Sequence, residues 1–198
     1  MQDRLQERAQ DRQPIFNVPG AVLAFLLAMI AVHAARQFLD DQDDLWWLVA
    51  LAFIPARYAG LANELPGGSI ASVTSWVTHV FVHAEMVHLI INSAWLLAFG
   101  SVVCRRVGAL RFFAFTIASG IAGALLFLAI RPGLVAPVVG ASGAVAGLMG
   151  GVMRFLFSAI DLGEGRRLSD RPAEIPAMSL KQALADRRIQ IATAAFVA

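Results

Sequence analysis

Residues Met86 to Cys104 read MVHLIINSAWLLAFGSVVC, 19 positions without a charged side chain. A helix needs about 20 mostly apolar residues to cross a hydrocarbon core of roughly 30 Å. Three other runs are equally free of charge: Gln13 to Ala35, Phe112 to Ile130 and Pro132 to Met153. Four spanning helices are therefore expected, in an all-α membrane protein.

The composition agrees with that reading. Of 198 residues, 58% are hydrophobic and 15% charged, and the mean hydropathy is +0.67. A disordered chain needs low hydrophobicity and high charge, and a soluble globule needs more polar surface than this. The net charge of +2 is too balanced to indicate a nucleic-acid partner. Cys104 is alone, so no intramolecular disulfide supports the fold.

Two shorter apolar runs complete the pattern. Leu45 to Ala56 opens with Trp46 and Trp47 and is too short to span. Indole rings favour the bilayer interface, so this run reads as an interfacial segment or as a loop helix packed on the bundle. Ile189 to Ala198 reads as the start of a fifth helix, too short to cross, and a chain truncated from a longer protein is expected. The flank before the first span carries Asp3, Glu7 and Asp11, which is unlike a signal-peptide n-region.

Lys and Arg collect in cytoplasmic loops. Arg105, Arg106 and Arg111 lie between the second and third spans, and a further basic group from Arg154 to Arg188 follows the fourth. The stretch from Arg36 to Glu85 has two arginines and the acidic group Asp40, Asp41, Asp43 and Asp44. The N-terminus, residues 105–111 and residues 154–188 are therefore expected to be cytoplasmic.

Polar residues within spans are costly, which makes them functional candidates. His88 and Asn92 are four apart and share a helix face. Counted from Arg105, they lie roughly 25 and 20 Å up a helix, and Ser142 lies roughly 18 Å from Arg154. All three fall in one layer. Pro137 and the glycines of Gly140-Ala141-Ser142-Gly143 predict a loop over 131–141 that dips into the protein, with Ser142 near a helix N-terminus. Unpaired N–H groups there can stabilise an anion, and a buried, hydrated nucleophile is expected. The four-spaced Gly143, Gly147 and Gly151 read as a helix-packing seam, and His33 as structural. His79, His83 and His88 could suggest a metal, but no intramembrane carboxylate or cysteine joins them.

The segment from Thr78 through His79, His83 and His88 to Asn92, the following Trp95 to Gly100, and Gly140-Ala141-Ser142-Gly143 together resemble the rhomboid family of intramembrane serine proteases. The likeness runs from about residue 18 to the end, leaving 1–17 as a short cytoplasmic N-terminal segment. It implies a six-helix bundle, of which four helices and the start of a fifth are present and residues 18–198 form an incomplete domain. It implies a multi-pass protein of a bacterial inner (plasma) membrane. The implied activity is cleavage of transmembrane protein substrates near the outer face, by a Ser–His dyad with neither cofactor nor metal. Ser142 would be the nucleophile. Its N–H with the side chains of His88 and Asn92 would form the oxyanion hole, and Gly140 and Gly143 would shape the motif's backbone. A serine needs a base and its oxyanion needs preorganised donors, which makes His88 a donor rather than the base.

Two features depart from the family pattern. The family's base is a histidine on the sixth helix, whereas no histidine follows His88 here, so these 198 residues alone are expected to be inactive. Many members place an aromatic residue four positions after the serine, where this chain has Ala146. A non-catalytic rhomboid-like protein that binds transmembrane clients is the alternative. The missing base favours it, and the intact Ser142, Asn92 and His88 set favours the protease. A transporter would need paired discontinuous helices, and only the break at 131–141 is present.

Overall fold

A computed structural model describes residues 18–163 and 172–197. The expected segment 1–17, the loop residues Arg166, Arg167 and Arg171, and Ala198 lie outside the described residues. The described residues form helices and turns, with one isolated bridge between Phe53 and Val138.

Helix α1 spans Gly20–Arg36, just after Pro19. Its 17 residues reach about 26 Å, the short end of what crosses a bilayer. Helix α2 spans Asp41–Leu51. The Asp40 side chain caps it, accepting from the N–H groups of Gln42 and Asp43 at 3.1 and 2.9 Å. Asp41, Asp43 and Asp44 in its first turn suit the positive end of the helix dipole. The short run expected from Leu45 to Ala56 therefore begins four residues early, at this acidic cap. Leu45, Trp46 and Trp47 remain exposed on it. Helix α3, Gly68–Thr78, has no counterpart among the apolar runs. It is short and mixed in polarity, and it holds its place by packing against α2 and a later spanning helix.

Three helices are long and apolar enough to span: α4 over Met86–Val107, α5 over Ala109–Ile130 and α6 over Ser142–Asp161. With α1 they match the four expected spans in number, three at full length and one shorter. The expected loop over 105–111 is absent. Gly108 alone, at φ +83°, turns α4 into α5, because glycine adopts this backbone without a Cβ clash. The fourth apolar run also shifts, since its helix starts at Ser142 rather than Pro132 and continues past Arg154 to Asp161. Arg154 is accommodated because its Nε and Nη2 both donate to the Met178 carbonyl, at 3.0 and 2.7 Å. Two short helices follow, α7 over Leu180–Ala185 and α8 over Arg187–Val197.

Helix α6 is central. Val145, Leu148, Val152, Phe155 and Ala159 recur at steps of three and four and are buried against Val22, Phe25 and Met29 of α1, Leu96 and Val103 of α4, and Phe112 of α5. The glycine stripe meets α5 as a seam. Gly143 faces Gly123 and Gly120, Gly147 faces Ser119, and Gly151 faces Phe115. Numbers rise along one helix as they fall along the other, so the two are antiparallel. A methyl built on Gly123 would lie 3.3 Å from the Gly143 Cα, which is the close backbone approach that small residues permit.

Candidate active site

The loop over 131–141 enters the bundle only at its end: Gly140 and Ala141 are buried, whereas most of 131–137 is exposed, and several of its backbone groups find partners. Phe53 and Val138 exchange N–H···O bonds of 3.0 and 2.8 Å, and Ala56 N–H donates to the Leu134 carbonyl at 3.0 Å. Gly140 N–H donates to the His79 carbonyl at 2.9 Å. Irregular backbone at membrane depth is tolerated only when its groups are satisfied by protein or water in this way. His79 is itself held through Nδ1, 2.7 Å from the Ser75 carbonyl.

Gly140 is the pivot before the serine. Its φ is +106°, and a Cβ at this position would lie 2.5 Å from Cε1 and 2.7 Å from Nε2 of His88. The Cε1–Nε2 edge of the His88 imidazole thus packs against a backbone that only glycine can supply. Ala141 is fully buried, and its N–H donates to Nε2 of His83 at 3.4 Å. That bond makes Nε2 an acceptor and places the ring proton on Nδ1, which is buried without a partner. The His83 and His88 rings meet edge to face with centroids 5.1 Å apart.

His83 lies between α3 and α4 and is buried. Burial first, and the neighbouring His88 second, push its imidazole down to about 4. The neutral form that accepts from Ala141 is therefore the one the fold holds. Two residues of α1 fix the same segment from the other side. His33 Nδ1 lies 3.1 Å from the His83 carbonyl, and Arg36 Nη1 donates to that carbonyl at 2.8 Å. Arg36 also grips Asp44 of α2 through two bonds, at 2.7 and 2.9 Å.

Asn92 is buried one turn below His88 and donates through Nδ2 to the His88 carbonyl at 2.9 Å. That bond uses one of its two amide hydrogens. A π-helical turn over Leu96–Gly100 follows it in α4, a distortion often found near functional residues.

Ser142 is the first residue of α6, where N–H groups lack helical acceptors. It differs from expectation in its exposure: the side chain is exposed rather than buried. It lines an open groove of about 640 Å³ between α5 and α6, with Ser119, Gly123, Leu126, Gly143 and Ala146. Apart from Leu126, the walls are made of small side chains, and Ser142 stays exposed between them. Ala146 lies in this groove, one turn below Ser142.

The structure brings His88 onto Gly140, two residues before Ser142, and Asn92 is joined to His88 within its own helix; neither His88 nor Asn92 lines the groove onto which Ser142 opens. His83 and Arg36 are supports to which sequence reasoning gave no role, and His33, read there as structural, holds the His83 carbonyl with them. Their signal was the spacing of polar side chains at the adjoining ends of α1 and α4, which becomes informative only once the end of the 131–141 loop is seen beside them. Among known proteins, a family model described as Rhomboid domain matches residues 71–165. No curated protein matches the chain.

Proposed function

With a rhomboid domain over residues 71–165, the chain is a rhomboid-family membrane protein, and we propose that it is an intramembrane serine endopeptidase acting on the transmembrane segments of membrane-anchored proteins. The observation that carries the reading is the packing of His88 on Gly140, two residues before a serine that opens a helix. This arrangement supports an oxyanion site beside a nucleophile.

In this reading Ser142 Oγ attacks the scissile carbonyl carbon and gives its proton to a general base. The carbonyl oxygen takes up the negative charge. The Ser142 N–H, a ring N–H of His88 and the second amide hydrogen of Asn92 donate to it. The base then protonates the leaving amine, and water hydrolyses the acyl ester through the same hole. This reading assigns the base to a histidine brought beside Ser142 and keeps His88 as an oxyanion donor. The groove on which Ser142 is exposed has room for the element that carries this base, and Gly143, Ala146 and Gly147 in its walls suit close helix approach.

The test is to express the protein from its full coding sequence with a reporter whose transmembrane segment can be cut. Cleavage is expected, and Ser142→Ala is expected to abolish it. Undiminished cleavage by the Ser142→Ala protein would overturn the assignment. Asn92→Ala is expected to slow cleavage by about a hundredfold, the usual effect of deleting one oxyanion donor.

A further inference from the structure

We propose that His83 is a positioning residue of the oxyanion site, holding its two halves in register by accepting the Ala141 N–H and backing the His88 ring. The inference rests on the protease reading of Ser142 and adds a residue to it. His83 is fully buried in the short segment between α3 and α4. Its Nε2 lies 3.4 Å from the Ala141 nitrogen, and its ring meets that of His88 edge to face, with centroids 5.1 Å apart and planes inclined at 69°. One side chain thus touches both the loop that delivers Ser142 and the histidine that donates from α4.

The chain needs a restraint at this point. Gly140 lacks the Cβ that limits the backbone of other residues. Helix α6 starts at Ser142 with no side-chain cap on its first N–H groups, so no side chain of the helix itself fixes how the chain enters. Both peptides flanking Gly140 are tied instead by residues 79–83. Gly140 N–H donates to the His79 carbonyl at 2.9 Å, and Ala141 N–H donates to the His83 ring. A peptide is planar, so fixing the Ala141 N–H also fixes the direction of the Gly140 carbonyl. With the Ala141 N–H taken, that of Ser142 is the next donor along the chain without a helical acceptor.

His83 is held in turn through its own backbone. Its carbonyl receives Arg36 Nη1 at 2.8 Å and the His33 ring nitrogen at 3.1 Å, both from α1. Helix α1 supplies none of the proposed catalytic groups, yet two of its buried side chains converge on this one carbonyl. A side chain that only fills space needs no ring nitrogen facing a buried N–H. Leucine would fill much of the same volume but leave the Ala141 N–H without an acceptor.

The test uses the protein expressed from its full coding sequence, with kcat and KM for a cleavable transmembrane reporter and a denaturant midpoint measured for each variant. His83→Leu is expected to lower kcat by about a hundredfold, the scale of a misplaced catalytic group, with KM changed less than about twofold. His83→Gln, whose side-chain carbonyl can accept where Nε2 does, is expected to recover most of that loss without a higher midpoint than His83→Leu. Unchanged kcat in His83→Leu would overturn the proposal, as would activities of the two variants that simply track their midpoints. The ring tautomer is read separately, by nitrogen-15 NMR of ring-labelled histidine in the Ser142→Ala protein, with the His83 signal identified by its absence from His83→Gln. A neutral ring protonated at Nδ1 is expected. A ring protonated at Nε2 would overturn the proposal whether or not the protein cleaves, because it has no lone pair for the Ala141 N–H. Undiminished cleavage by Ser142→Ala would overturn the protease reading, and with it the catalytic part of the proposal, whatever the tautomer.

Discussion

The imidazole of His88 rests on the α-carbon of Gly140, close enough that a single methyl group there would fall 2.5 Å from Cε1. The contact ties α4 to the loop that delivers Ser142, and it depends on the left-handed backbone at Gly140. A residue with a side chain is disfavoured there twice, by φ and by collision. Gly140→Ala is expected to cost about 2–4 kcal/mol, from backbone strain plus overpacking. It should also reduce cleavage more than a comparably destabilised control such as Val152→Ala does. Equal effects on both would mean that the contact serves packing alone.

His83 must stay neutral to accept the Ala141 N–H. Its folded-state value, about 4, lies below the ordinary value near 6.5. The unfolded chain therefore binds the proton more readily, and this residue's stabilising contribution is complete above about pH 6.5 and is lost as pH falls towards 4. Melting curves across that window should show a slope in the parent that His83→Gln lacks. Persistence of the full slope in the variant would assign it to another group.

Arg36 serves two partners, the Asp44 carboxylate and the His83 carbonyl. Asp44 serves Arg36 and is one-third exposed. Removing the arginine leaves a buried carbonyl short of a donor, whereas removing the carboxylate leaves the arginine one remaining bond. Arg36→Ala is expected to destabilise by about 2–4 kcal/mol and Asp44→Ala by about 1 kcal/mol, read from denaturant midpoints in micelles. The reverse order would contradict the role given to the His83 carbonyl.

The α5–α6 seam offers a rescue experiment. A Cβ added at Gly147 collides with the Ser119 side chain. Gly147→Ala is expected to cost about 1–3 kcal/mol by overpacking. Adding Ser119→Gly should restore part of that loss, a coupling of about 1 kcal/mol in a double-mutant cycle. Simple additivity of the two changes would show that the seam relaxes freely.

Much of this protein follows from local sequence alone. Charge-free runs near 20 residues can be satisfied in a bilayer only as helices, so the spanning segments were legible without any tertiary contact. The glycine stripe from Gly143 to Gly151 was legible for a similar reason, since small residues at a helical period mark close approach. Element boundaries were less so. The Asp40 cap, the single-residue turn at Gly108 and the passage of α6 beyond Arg154 each depend on one hydrogen bond or one dihedral that hydropathy does not record. The candidate site divides in the same way. His88, Asn92 and Ser142 could be placed in one layer by counting residues along helices. That His88 touches Gly140, that His83 holds the Ala141 N–H and that Ser142 opens onto a groove were decided by tertiary structure, because they join segments roughly 20 to 60 residues apart whose meeting no local periodicity encodes.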